Sequence, residues 1–224
     1  MEIGIVAKHD LYFPPIKKAL ESLDIPHSTV FAKNLEELIN QKQVFDYVFF
    51  PHYSKLVPKD FLTRNLCVGF HVGNLPKDRG GSPIQNKILR GEYKTYVNAF
   101  QIDTTIDGGP VYDQRAIDIE FGNIAQILES LAEVISEMII NIICSRTIPR
   151  EQPNFPIRFH RLNRQDSEVD FNSLTLKQIY DRIRMVDGLD YPRAILGGLS
   201  KILSLSNAKL VDGVLTFDCE VKND

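Results

Sequence analysis

An open α/β sheet with a small α+β appendage at its C-terminal side is the fold this chain predicts. Three observations carry that reading. Short apolar runs alternate with helical patterns up to about residue 145, the order that builds a sheet flanked by helices. The longest helical pattern, Phe121–Cys144, closes that series. Composition then shifts at Thr147–Pro156, where three prolines fall within ten residues, and short β-like runs follow. The boundary separates a main domain, 1–146, from a small subdomain, 147–224.

Each element has its own signal. Glu2–Lys8 is an apolar run of strand length. Pro14 and Pro15 suit the first turn of a helix running to about Leu23. His27–Phe31 reads as a second strand, and Leu35–Asn40 as a short helix with Asn34 as its N-cap. Asp46–Phe50 and Leu66–Phe70 are further strands. Ser82 and Pro83 open a helix that ends near Gly91. Thr95–Ile102 is a longer strand, and Val111–Ile119 pairs with it across the loop at Asp107. In Phe121–Cys144, residues Ile124, Ile127, Leu128, Leu131, Val134, Ile135, Met138, Ile139 and Ile142 recur at three- and four-residue steps. That is the stripe of a helix packed on a core. Beyond the connector, Thr175–Val186 is helical. Ala194–Leu196, Lys201–Leu205 and Val214–Val221 are strand-like, separated by Gly197-Gly198 and Asp212-Gly213.

Hydrophobic residues make up 43% of the 224 residues and charged residues 25%, as in soluble globular proteins. No apolar run approaches the ~20 residues of a membrane span, and the N-terminus reads as a strand, not a signal peptide. A cytoplasmic protein with no membrane partner is the expectation. Cys67, Cys144 and Cys219 are far apart and lack Cys or His neighbours at ligand spacing, so neither a disulfide frame nor a metal site is expected. The net charge of −3 gives no general attraction to polyanions.

The chemistry is concentrated in two loops. Residues 71–83 read His-Val-Gly-Asn-Leu-Pro-Lys-Asp-Arg-Gly-Gly-Ser-Pro and leave one strand. Residues 106–110, Ile-Asp-Gly-Gly-Pro, leave the next. An imidazole and a carboxylate so placed can meet in the cleft at the strand ends of an open sheet. The ordered set His71, Leu75-Pro76, Arg79-Gly80, Pro83-Ile84-Gln85 and Asp107-Gly108-Gly109 resembles the motifs of the formyltransferase fold family. Members of that family take a formyl group from 10-formyltetrahydrofolate. The likeness covers roughly residues 1–145 and implies a Rossmann-like formyltransferase sheet, with 1–146 as the catalytic domain.

The resemblance also implies roles. His71 would donate to the developing oxyanion. Asp107 would orient His71 and help remove the amine proton. Many members carry an Asn two residues before that His. Here the position is Gly69, and Asn74 is the substitute the sequence offers. Tyr53, Leu56 and Val57, on the Tyr53–Pro58 loop, would line the folate pocket with Ile102 and Asp103. No metal is implied.

For the acceptor, Arg79–Pro83 and the short C-terminal part look most like nucleotide-sugar N-formyltransferases. The expected substrate is then the amine of a UDP- or dTDP-linked 4-amino-4,6-dideoxy sugar, for lipopolysaccharide or O-antigen biosynthesis. Lys8, Lys77 and Arg79 would hold its diphosphate, helped by N–H groups at Gly80-Gly81. Basic and acidic residues nearly balance beyond residue 150, which argues against tRNA phosphates; nucleic acid is not an expected partner, and a homodimer stays open. Glycinamide ribonucleotide transfer, folate binding without transfer, and hydrolysis of 10-formyltetrahydrofolate remain as alternatives.

Overall fold

A computed structural model describes residues 1–196 and 202–222. Strands β1 Glu2–Val6, β2 Ser28–Ala32, β3 Tyr47–Phe50, β4 Cys67–Val72, β5 Lys94–Gln101 and β6 Val111–Asp118 form one sheet in the order β2-β1-β3-β4-β5-β6. Strands β1 to β4 pair in parallel, and β5 runs antiparallel to β4. Helices α1 Phe13–Leu20, α2 Leu35–Ile39, α3 Lys59–Leu62 and α4 Pro83–Leu89 fall between the strands, and α5 Ile124–Ser145 follows them. The α/β reading holds. So do the elements behind it, with shifts of a few residues at their ends.

The local reasons are those the sequence suggests. Asn34 Oδ1 accepts the Glu37 N–H at 3.0 Å and caps α2. On α5 every residue of the periodic stripe is buried except Val134, which is half-buried. Ser82 behaves differently from expectation. It stands at the N-cap of α4 with φ 46, but its Oγ accepts from the Leu162 N–H at 3.1 Å instead of capping the helix. Helix α3 has no counterpart among the expected elements, because four residues carry no periodicity.

The described residues divide into two compact units. One comprises 1–81, 95–117 and 129–159, and holds most of the six-stranded sheet. Its apolar core runs through Val6, Leu38, Val48, Phe50 and Phe61. The other comprises 82–94, 118–128 and 160–224. It contains β7 Glu168–Val169, α6 Leu176–Arg184, β8 Ala194–Leu196, β9 Ile202–Val211 and β10 Val214–Lys222, with sheet order β10-β9-β8-β7. Strand β9 runs past the expected Leu205 because its polar second half pairs with β10, as in Leu210↔Leu215. The expected separator Gly197-Gly198 and strand start Lys201 lie outside the described residues. Helix α6 opens with a capping box in which the Gln178 N–H donates to Thr175 Oγ1 and the Thr175 N–H donates to Gln178 Oε1. Inside this unit Arg184 is 1% exposed. Its Nε donates to Asp181 Oδ1 at 2.6 Å, and its Nη1 donates to the carbonyls of Ile119 and Gly122.

The chain crosses from β1 to β2 on one side and returns to β3 on the other, so the sheet has its switch point between β1 and β3. Ligands of open α/β sheets bind at the carboxyl ends of strands near such a point. The loop after β4 leaves such an end; β5 is antiparallel, so the Asp107 loop starts beside the other end of β4 and still reaches His71.

Candidate active site

Cys67, Gly69 and His71 share one face of β4, because side chains alternate along a strand. The antiparallel register puts Asn98 of β5 opposite His71 and Phe100 opposite Gly69. Asn98 is fully buried. Its Nδ2 donates to the His71 carbonyl at 3.1 Å and the Gly73 carbonyl at 2.7 Å, while its Oδ1 accepts from Gln114 Nε2 at 2.7 Å. The end of β4 and the start of its loop are therefore fastened from the neighbouring strand.

Asp107 lies on the β5–β6 loop with φ 48, a left-handed conformation that Asp tolerates better than most side chains. Its Oδ2 accepts the Gly80 N–H at 3.0 Å and sits 3.4 Å from His71 Nδ1. His71 is 5% exposed and Asp107 20%, so the pair is shielded yet open at the carboxylate edge. The two residues singled out from the sequence, one at the end of β4 and one on the β5–β6 loop, are thus brought together.

The expected phosphate grip is not what Arg79 does. Its guanidinium donates to Gln152 Oε1 at 3.1 Å and to the carbonyls of Pro153 and Phe155 at 3.1 and 3.4 Å. Gln152 Nε2 in turn donates to the carbonyls of Asp107 and Gly109. Arg79 braces the Asp107 loop through Gln152. The Gly80-Gly81 amides are also occupied, one by Asp107 Oδ2 and the other by the Phe159 carbonyl. Gly80 has φ +124, and a Cβ there would lie 2.0 Å from Phe159 O, so the glycine serves close backbone approach and not an anion. Lys8, just beyond β1, and Lys77, in the loop after β4, are exposed.

Asn74 does not stand in for the missing Asn. Its side chain is exposed, and its N–H donates to Asp78 Oδ2 at 2.9 Å, a contribution to loop shape. At Gly69 a Cβ would lie 2.9 Å from Phe100 Cζ and 3.1 Å from Ile102 Cγ1. The Phe100 ring fills the space that an Asn side chain would need.

Of the residues expected around folate, Tyr53, Val57 and Ile102 pack half-buried on the same apolar cluster. Ile102 also touches the smaller cluster of Leu75, Phe100 and Val111. Burial, then the Glu36 carboxylate, pushes the Tyr53 phenol up, so it is neutral near pH 7. Leu56 is 86% exposed, and Asp103 Oδ1 accepts from the Thr105 N–H and hydroxyl, closing its own turn. These two are not joined to the others.

Sequence reasoning missed Asp78, Asn98, Gln114, Gln152 and Arg158. One signal was available: Asn98 interrupts the buried run Val97–Phe100, whose other residues are apolar. Among the described residues there is no group of three or more His, Cys, Asp or Glu able to hold a metal ion, and no helix is long and apolar enough to cross a membrane.

Residues 8–149 match the model of the formyl transferase family, and residues 164–222 match that of the methionyl-tRNA formyltransferase C-terminal domain. A methionyl-tRNA formyltransferase from Campylobacter curvus is 26% identical over 212 residues, 91% of this chain and 69% of that protein. The chain spans 44% and 62% of the next two curated relatives, which bear the same name. The structure of a methionyl-tRNA formyltransferase from Clostridium thermocellum is 31% identical, with TM-score 0.90 and full coverage of both chains. A 4-N formyltransferase from Francisella tularensis shares the fold at 18% identity and TM-score 0.65, over 100% of this chain and 98% of that one.

These matches overturn the nucleotide-sugar substrate, the glycan-biosynthesis role and the exclusion of a nucleic-acid partner. The charge balance of the C-terminal part misled because a near-zero sum weighs anions already paired inside the fold, such as Asp181, like free ones and does not say which charges share a face. Arg184 is buried against Asp181, and Lys177 and Arg193 pair with Asp181 and Glu220. Residues 8–149 amount to well over half of the sequence, so the chain belongs to the formyl transferase family, folate-dependent enzymes whose co-substrate is 10-formyltetrahydrofolate.

Proposed function

We propose that this protein transfers the formyl group of 10-formyltetrahydrofolate to the amine of methionyl-tRNA. The full-length likeness to the Clostridium thermocellum enzyme, together with the match of residues 164–222 to the C-terminal domain model, is the observation that supports this acceptor. The residues present fit the co-substrate. Half-buried Tyr53, Val57 and Ile102 offer an apolar wall beside the strand ends where a flat pterin could lie. Bound there, 10-formyltetrahydrofolate supplies an activated formyl carbon.

The rest falls to the chain's own groups. His71 and Asp107 are assigned the reacting edge. At 3.4 Å their contact is longer than the ~2.7–2.9 Å of a tight charge-assisted hydrogen bond. A proton on Nδ1 is therefore only loosely engaged by the carboxylate and stays available to an oxyanion forming beside it. The carboxylate can receive the proton that the amine must lose. Gly69, with Phe100 over it, contributes no side-chain amide, so the imidazole carries more of the oxyanion charge in this chain.

The test is direct. Purified protein with 10-formyltetrahydrofolate is offered methionyl-tRNA, glycinamide ribonucleotide or a nucleotide-linked amino sugar, and products are read by mass spectrometry. N-formylmethionyl-tRNA is the expected product. Formylation of another amine but not of methionyl-tRNA overturns the acceptor. Release of tetrahydrofolate without any amine would mark a hydrolase.

A further inference from the structure

Both ring nitrogens of His71 are engaged, and the partner on the far side is a backbone atom. Nε2 lies 2.6 Å from the carbonyl oxygen of Asp78. A carbonyl only accepts, so Nε2 carries a hydrogen. Nδ1 then faces Asp107 Oδ2 at 3.4 Å. A bare nitrogen lone pair opposite a carboxylate oxygen would be repulsive. The contact is favourable when one proton is shared between Nδ1 and the carboxylate.

The Asp78 carbonyl is itself held in place. The Asp78 side chain is 1% exposed. Its Oδ2 accepts the Asn74 N–H at 2.9 Å, and its Oδ1 is paired with Arg158 Nη1. The Lys77 and Asp78 N–H groups both donate to the Asn74 carbonyl, which closes residues 74–78 into one turn. That turn lies directly over the imidazole: a Cβ on Gly73, φ +156, would come within 3.1 Å of His71 Nε2 and 2.8 Å of Asp78 Cβ. Arg158 is anchored as well, since its N–H donates to the Arg79 carbonyl at 3.0 Å.

We infer that Asp78 and Arg158 form a positioning clamp that holds His71 with its hydrogen on Nε2, so that Nδ1, beside Asp107, is the nitrogen that meets the substrate. This rests on the reading of His71 and Asp107 as the reacting pair. The attacking amine then enters at the Asp107 edge. The pair starts with one shared proton and gives it to the departing nitrogen as that nitrogen's bond to the formyl carbon breaks. It is refilled by the proton lost from the amine, whose nitrogen has bonded to the same carbon. The Nε2 hydrogen stays in place throughout. The groups facing the imidazole are thus the Asp107 carboxylate on one side and, on the other, the Asp78 carbonyl backed by the Asp78–Arg158 ion pair.

The test has two parts. The first is 15N NMR of histidine-labelled protein without substrate, with His71 assigned by comparison with His71→Gln. The expected spectrum shows a protonated Nε2 from pH 6 to 9; a bare Nε2 in that range overturns the clamp. The second is steady-state kinetics of Arg158→Gln, Arg158→Lys and Asp78→Ala. Arg158→Gln and Asp78→Ala should lower kcat by about tenfold or more, as for outer groups that orient a histidine. KM for both substrates should hold, and the acid limb of the kcat profile should move. Arg158→Lys should restore most of the rate. Wild-type kcat and pH profile in both Arg158→Gln and Asp78→Ala would sink the proposal, and should both fail to fold, the NMR result on the wild type decides it. Failure of the reacting-pair reading shows separately, as full activity in His71→Gln.

Discussion

The Asp107 carboxylate touches two elements at once: the same oxygen, Oδ2, accepts the Gly80 N–H at 3.0 Å and stands 3.4 Å from His71 Nδ1. One atom therefore ties the loop after β4 to the loop after β5 and sets the charge beside the imidazole. Two substitutions separate these duties. Asp107→Asn keeps an acceptor for Gly80 but loses the charge, and His71→Ala removes the ring. Both should lower kcat by about 10²–10³, with the thermal midpoint of Asp107→Asn within a few degrees of wild type. Near wild-type turnover in either variant would remove the pair from the mechanism.

Gly69 is held small by Phe100. A methyl group there meets the ring at 2.9 Å, and overpacking of this kind costs about 1–3 kcal/mol. Gly69→Ala should lose stability in urea by that amount, and Gly69→Asn more. Pairing Gly69→Asn with Phe100→Ala should recover part of the loss, because the ring no longer occupies the space. Equal stability of Gly69→Asn with and without Phe100→Ala would show that the contact is not the obstacle.

Cys67 starts β4 and is buried, which pushes its thiol up to about 12. The thiolate is the reactive form, so Cys67 should stay unmodified by iodoacetamide at pH 8 while the exposed Cys144 and Cys219 are alkylated. Peptide mass mapping after native and denatured labelling checks this. Labelling of Cys67 in the native protein as fast as Cys144 would contradict its burial.

Tyr93 gives an alkaline signature. Burial, then the hydrogen bond its hydroxyl donates to Asp181 Oδ2 at 2.6 Å, pushes its phenol well above the ordinary 10.0. The folded-state value is raised, so the contribution is complete below about pH 10, where the unfolded phenol titrates. It is lost as pH climbs through the folded value, because the unfolded chain gives up the proton first. Stability should fall from pH 10 upward. Tyr93→Phe should be about 1–2 kcal/mol less stable at pH 8, for want of a bond to a charged acceptor, and should decline less steeply above pH 10. Thermal melts from pH 8 to 11 measure both, and an unchanged slope in the variant would contradict the assignment.

Local signals were legible in the chain. The β1 run, the Asn34 cap, the stripe of α5 and the helix from Thr175 depend on residues within a turn or two of one another, so a linear reading finds them. His71 and Asp107 were also legible as candidates, one beside and the other within a polar loop, although His71 itself belongs to β4. What only the tertiary structure decided is how distant segments meet. Gln152 lies in the proline-rich stretch that reads as a connector, and Arg158 just beyond it, yet they brace the Asp107 loop and the Asp78 turn. Arg79 reads as a phosphate ligand but is engaged by carbonyls more than seventy residues away. The C-terminal charge balance hid which cations face solvent. In each case the partner is set by the packing of the folded chain, and no spacing along the sequence encodes it.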